Sequence, residues 1–410
     1  MSGYETVLAG LDAELGWVRD LYTHLHRHPE LSLEEQQTAR LIEEKLTSFG
    51  YGVTRIGGTG VVGVLANGSG PTVLARADTD ALPVTEATGL PYTSEVEGVM
   101  HACGHDVHVS TLLGAAKLMA DGRAAWSGTY IALFQPAEEI GAGSQAMVDD
   151  GLVTKVPRPD VALAQHVMPI AAGTIATTAG PVLSAGDSLK ITVYGKGAHG
   201  SMPHMAVDPV VLASSIVLRL QTVVSRETKP GDFAVVTVGA LNAGTKSNII
   251  PDRATLLLNI RTYSNQVRKE VLAAIERIVR GECVTAGSPQ EPEFEFYDQF
   301  PLTSNDAAVT EKVTAAFNRH FDAGAVLQAT PQTASEDFSR IPDAFGVPYT
   351  FWLLGGHDAE KYRAAVESGT VSQDVPGNHS PFFAPVMDPT LSLGVQTQVV
   401  AAMSYLAKDA

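Results

Sequence analysis

Residues 129–139 read TYIALFQPAEE. An apolar, β-prone run from Thr129 to Phe134 empties through Gln135-Pro136 into a loop that carries two consecutive carboxylates, Glu138 and Glu139. Such a run is a strand buried on both faces, as in a sheet covered by helices. The proline ends it and turns the chain into irregular backbone. Neighbouring residues on a regular strand point to opposite faces, but in a loop both carboxylates can turn toward one centre.

Working outward, strands are expected at Val61 to Ala66, Thr72 to Ala77, Val161 to Ala164 and Tyr349 to Leu353. Helices are expected around Glu5 to Arg27, Leu33 to Phe49, His108 to Ala120, Ser144 to Asp150 and Thr390 to Ala407. Ser32 with Glu35 three residues on has the form of a capping box for the second of these. Strand and helix alternate, which predicts an α/β sheet with both faces covered. From about Ser188 to Phe296 the order changes to β-α-β-β-α-β, a ferredoxin-like unit: Leu189 to Tyr194, Asp208 to Glu227, Phe233 to Leu241, Ala254 to Arg261, Gln266 to Ala286 and Glu293 to Tyr297. The return to strand and helix afterwards predicts an insertion, 188–297, within a discontinuous larger domain, 1–187 and 298–410.

Composition narrows the function. Lys plus Arg number 28 against 45 acids, a net charge of −17, which disfavours nucleic acid and anionic membranes as partners. Hydrophobic residues make up 45% and charged residues 18% of the 410 positions, a globular balance. The start, Met1-Ser-Gly-Tyr-Glu, lacks signal character, and no apolar run reaches membrane-spanning length, so a cytoplasmic protein is expected. With only two cysteines far apart, Cys103 and Cys283, a disulfide framework is not expected.

Residues 101–108, HACGHDVH, place four metal-capable His and Cys side chains in eight positions. Gly104 between Cys103 and His105 relaxes the backbone so that thiolate and imidazole can reach one ion. His166, after the apolar run Val161 to Ala164, and His379, in Gly377-Asn378-His379-Ser380-Pro381, stand where loops begin. With Cys103, His105 and Glu139 they make five candidate ligands of the sulfur, nitrogen and oxygen types that zinc and its neighbours accept. Glu138, beside a candidate ligand, is placed to act as general base.

The motifs HACGHDVH (101–108), LFQPAEE (133–139), QHVMP (165–169), GAHGSMPH (197–204), NIIPD (248–252), SEDF (335–338) and GNHSP (377–381) follow one another here in the order of a known family. From about His24 to the last helix the chain resembles the M20 metallopeptidases, in the amidohydrolase branch of hippurate, N-acyl-amino-acid and auxin-conjugate hydrolases. The resemblance implies an exopeptidase-like metal-binding domain interrupted by a lid and dimerisation domain, hence a homodimer. It implies two divalent ions, zinc or manganese, cobalt or nickel, held by Cys103, His105, Glu139, His166 and His379. Asp80 matches the family's catalytic aspartate, and Asp78 stands where other branches carry a ligand histidine. His199 matches a histidine that steadies the oxyanion, while Asn248 and Arg261 match positions that hold the substrate's amide and free carboxylate, for which a guanidinium is suited.

Asp106 and His108 are read as groups that orient ligands through hydrogen bonds. His24, His26 and His28 are read as structural or near the pocket rim, and Glu336 and Asp337 carry no assigned role. The implied activity is cleavage of an N-acyl amino acid, or a similar small amide conjugate, to a carboxylic acid and a free amino acid. The alternatives are a carboxypeptidase or dipeptidase on the same scaffold and a catalytically silent metal- or ligand-binding homologue.

Overall fold

The computed structural model describes residues 3–408. The chain separates into two compact units: residues 1–182, 304–330 and 337–410 form the first, and residues 183–303 with 331–336 form the second.

The first unit is built on an eight-stranded sheet. Its strand order is Gly52–Ile56, Gly60–Asn67, Gly128–Gln135, Thr72–Asp78, Val161–Ala171, Tyr349–His357, Ile175–Thr177 and Val326–Gln328. The central strands Gly128–Gln135, Thr72–Asp78, Val161–Ala171 and Tyr349–His357 pair in parallel. They are buried along nearly their whole lengths until Val161–Ala171 emerges near its end. That continuity requires helices on both faces, and the near-unbroken apolar runs follow from it. Parallel strands also release their C-terminal ends on one edge of the sheet, where Asp78 and Gln135 end their strands and His166 stands level with them midway along the longer Val161–Ala171.

The helices His105–Asp121 and Met387–Leu406 are buried almost all round. Their contact is close because Gly114 leaves room for a branched side chain: a Cβ added there would stand 2.8 Å from Val395 Cγ2. Among the described residues no helix is long and apolar enough to cross a membrane.

Local differences from the sequence reading have identifiable causes. The expected first helix is two, Gly3–Leu8 and Leu11–Arg27, interrupted at Ala9 and Gly10, where glycine is a poor helix former. The second helix starts at Gln36 rather than Leu33, because Leu33 has φ 70°. The capping box does not form. Ser32 Oγ donates to Asp80, 2.6 Å, and Glu35 accepts from Thr59 Oγ1, 2.6 Å, and from the Ala137 amide, 2.8 Å. The Glu30 carboxylate caps this helix instead, accepting from the amides of Gln37 and Thr38. The edge strand Gly52–Ile56 went unread because it is short and mostly exposed or half-buried.

The second unit is a four-stranded antiparallel sheet in the order Ala234–Ala243, Arg253–Thr262, Ala185–Tyr194, Glu293–Phe300, with the helices Pro209–Thr222 and Asn265–Ala286. This is the strand order of a ferredoxin-like unit. Residues alternate buried and half-buried along Arg253–Thr262, and the buried set joins Leu212, Ile216, Val271 and Ile275 of the two helices in one core. Cys283, in a stretch that looks polar, lies within this core, and neither cysteine is bridged. The unit is longer than 188–297: it begins at Leu183 and recruits Pro331–Glu336. Backbone pairing explains the recruitment, since the Ser184 amide donates to Ala334 O at 2.8 Å and its hydroxyl to Thr333 O at 2.9 Å.

Candidate metal centre

Gly104 initiates the site. It sits in the left-handed region, φ 84°, immediately before the helix His105–Asp121. A side chain there would be strained by the backbone and would place Cβ 2.3 Å from Val167 Cγ1. The turn lets Cys103 and His105 face the same volume. Cys103, His105 and Glu139 each offer one ligand atom within 4.8 Å of the others.

The loop after Gly128–Gln135 supplies the carboxylates through a second unusual turn. Ala137 has φ 47°, and its amide is held by the buried Glu35 carboxylate. The next two amides, of Glu138 and Glu139, donate to Asp80 Oδ1 at 3.1 Å and Oδ2 at 3.0 Å. Asp80 therefore fixes the backbone of both glutamates. It also fixes His105, whose Nδ1 donates to the Asp80 carbonyl oxygen at 2.8 Å and lies 3.3 Å from Oδ1.

With Nδ1 engaged, His105 directs Nε2 toward Glu139 Oε1, 3.7 Å away. His166 is oriented the same way: its Nδ1 donates to Val167 O at 2.8 Å, leaving Nε2 3.5 Å from Cys103 Sγ. His379, in the left-handed region with φ 70°, brings Nε2 to 3.3 Å from Glu139 Oε2. All five expected ligands thus converge. His105 Nε2 and Glu139 Oε1 are buried and have no hydrogen-bond partner among the described residues. Two such atoms, one nitrogen lone pair and one carboxylate oxygen, fit a cation better than each other.

The electrostatics agree. Burial, together with Glu139, pushes the Cys103 thiol well above its ordinary pKa. Burial, opposed by His105 and helped by Asp80, pushes Glu139 up to about 7. Burial and neighbouring His108 lower His166, favouring the neutral imidazole that ligates metals. A divalent cation reverses the first two tendencies, because thiolate and carboxylate are the forms it binds. The donor set therefore suits a borderline-soft divalent ion.

Both ring nitrogens of His108 are engaged. Its Nδ1 lies 2.5 Å from Asp78 Oδ1 and its Nε2 accepts from the Val167 amide at 2.8 Å. It is a brace between Asp78 and the backbone beside His166. Asp106 is likewise a partner and not a ligand: it accepts from the Val107 amide, 2.9 Å, and lies 2.7 Å from His26 Nδ1.

His26, read from the sequence as structural or near the rim, is fully buried and spans Asp106 and Glu86. In the sequence Arg76 has no assigned role, and Ser32 and Glu35 read only as a helix cap. Apart from Asp78 beside Arg76, the partners that show their roles lie far off in sequence.

The remaining predicted residues belong to the second unit. His199 is exposed on the short strand Ala198–His199, paired with Ile249–Ile250, and its Nδ1 lies 2.7 Å from Ser201 Oγ. Asn248 is its neighbour there, its carbonyl accepting from the Gly200 amide at 2.8 Å. Arg261 lies on the other sheet, half-buried, its Nε donating to Asn259 Oδ1 at 2.9 Å and its NH1 to Ser335 Oγ.

Comparison with known proteins gives a consistent picture. The chain is 38% identical to N-acetyl-L-cysteine deacetylase of Bacillus subtilis over 358 residues, 86% of this chain and 83% of that protein. It is 40% identical to hippurate hydrolase of Campylobacter jejuni over 331 residues, 80% of this chain and 85% of that protein. Its fold matches the crystal structure of the Bacillus subtilis YXEP protein, a dinuclear metal binding peptidase from the M20 family, with TM-score 0.78 and 28% identity over 95% of this chain and 98% of that one. The profile of peptidase family M20/M25/M40 matches residues 74–371. The chain belongs to peptidase family M20/M25/M40.

Proposed function

We propose that this protein is a metal-dependent amidohydrolase that splits the amide bond of N-acyl amino acids, releasing a carboxylic acid and a free amino acid. The observation that carries the reading is the convergence of sulfur, nitrogen and oxygen donors from Cys103, His105 and Glu139 within 4.8 Å, with a second buried carboxylate, Glu138, one residue from a ligand. The names of its relatives, a deacetylase of N-acetyl-L-cysteine and a hippurate hydrolase, support N-acyl amino acids as the substrate class.

Cys103, His105, Glu139, His166 and His379 would hold two divalent ions, zinc or manganese, cobalt or nickel. When bound, the ions polarise a carbonyl and lower the pKa of water. Glu138 is the general base: it takes the proton from the attacking water and passes it to the leaving amine nitrogen. Asp80 keeps Glu138 and Glu139 in register by accepting their amides. His199 steadies the oxyanion, Asn248 holds the substrate amide and Arg261 pairs with the free carboxylate. The second unit serves as lid and dimerisation module of a homodimer. The compartment that goes with this reading is the cytoplasm.

The test is amino-acid release from N-acetyl, N-benzoyl and long-chain N-acyl amino acids and from dipeptides, on metal-loaded protein with a chelated control. Chelator-sensitive release from the acyl substrates is expected. Release from dipeptides alone would replace the reading by a dipeptidase, and no release from metal-loaded protein would replace it by a silent binding homologue.

A further inference from the structure

Behind the candidate metal centre lies a chain of buried charges. Asp337 Oδ2 accepts from the Ser144 amide at 3.2 Å and from its hydroxyl at 2.6 Å, while Oδ1 accepts from the Gln135 side-chain amide and lies 3.7 Å from an Arg76 guanidinium nitrogen. Arg76 donates from Nε to Gln135 Oε1, 2.9 Å, and from NH1 to Asp78 Oδ2, 2.6 Å. Its guanidinium lies 5.7 Å from the centroid of the Phe338 ring. Arg76, Asp78, Gln135 and Asp337 are all fully buried.

Burying an arginine and two carboxylates is costly before they pair, and the strand that carries Arg76 needs no charge in order to pack. What the network controls is Asp78. Its Oδ2 lies only 3.8 Å from His105 Nε2, near enough to compete for a cation held by that nitrogen. Both of its oxygens are engaged elsewhere, Oδ2 by Arg76 and Oδ1 by His108. A guanidinium suits this task because its donors form a rigid, permanently charged fork.

We propose that Arg76, braced by Asp337 and Gln135, is a positioning residue that keeps the Asp78 carboxylate out of the cation's ligand sphere, so that Cys103 supplies the second anionic ligand beside Glu139. This rests on the metal reading above. Without the guanidinium, Asp78 turns toward His105 and displaces the Cys103 sulfur.

The test uses the full chain loaded with cobalt(II), read by the near-ultraviolet thiolate-to-cobalt charge-transfer band and by cobalt bound per chain. The parent protein shows the band. Arg76→Met loses most of it while still binding cobalt, and the double variant Arg76→Met with Asp78→Asn regains it, because no carboxylate is left to compete. A purely structural role for Arg76 would not produce that recovery. A parent-like band in folded Arg76→Met, or no recovery in the double variant, overturns the inference alone. A parent protein that takes up no cobalt overturns the metal reading with it. Should circular dichroism show Arg76→Met unfolded, Asp337→Asn carries the test: partial loss of the band is expected, and an unchanged band overturns the brace.

Discussion

Asp80 accepts the His105 Nδ1 proton on its carbonyl oxygen at 2.8 Å while its own carboxylate lies 3.3 Å from the same nitrogen. One residue thus sets the tautomer of a ligand histidine and, through the amides of Glu138 and Glu139, the placement of base and carboxylate ligand. Its remaining hydrogen bond, from Ser32 Oγ, ties it to the segment before Gln36–Ser48.

Asp80→Asn replaces by a donor either the oxygen that accepts the Glu138 amide or the one that accepts both Ser32 Oγ and the Glu139 amide. Because groups that orient ligands commonly contribute about 10- to 100-fold in metal affinity, the variant should bind zinc more weakly by that order in competition with a chelating dye. Ser32→Ala, which removes one donor of several, should fall well short of that loss.

Gly104→Ala adds a Cβ at φ 84°, 2.3 Å from Val167 Cγ1. The left-handed backbone costs an L-residue about 1–2 kcal/mol and the overlap about 1–3 kcal/mol more. The variant should lose stability by roughly that sum in urea denaturation and bind metal more weakly, since the same turn aligns Cys103 with His105.

His26 gives a pH prediction. Burial works against its charged form, but the hydrogen bonds to Asp106 and Glu86 outweigh it and raise its pKa to about 9. A pKa raised on folding adds stability that is complete below the unfolded value, about 6.5, and is lost as pH rises through about 9. His26→Gln should therefore be less stable than the parent at pH 6, by on the order of 2–3 kcal/mol, and the gap should close by pH 10. Urea denaturation at both pH values measures it.

The elements legible in the sequence are those whose cause is local. Thr129 to Phe134 reads as a strand because an apolar run bounded by proline has few other homes, and the six-element pattern from Leu189 to Tyr297 reads as ferredoxin-like because its periodicities alternate cleanly. Whereas Glu139, His166 and His379 are scattered along the chain, Cys103 and His105 stood out as candidate ligands because Cys and His cluster densely at 101–108. Ser32 and Glu35 misled for the same reason: their spacing is a local helix signal, but Asp80, Thr59 and Ala137 compete for their side chains from elsewhere in the chain. The pairing of Arg76 with Asp337 leaves no local trace, since it joins segments that meet only when the sheet is complete. His26 looked like any helix histidine until Asp106 and Glu86 closed on both of its nitrogens.

The central claim, metal-assisted amide hydrolysis with Glu138 as base, is tested most directly by Glu138→Gln. Metal content per chain and the rate of amino-acid release from N-acetyl and N-benzoyl amino acids would be measured on this variant and its parent, both metal-loaded. The account predicts equal metal content and a turnover lower by about 10² to 10⁴, the range of general acid–base catalysis. A variant that keeps its metal and hydrolyses these substrates at the parental rate would contradict it.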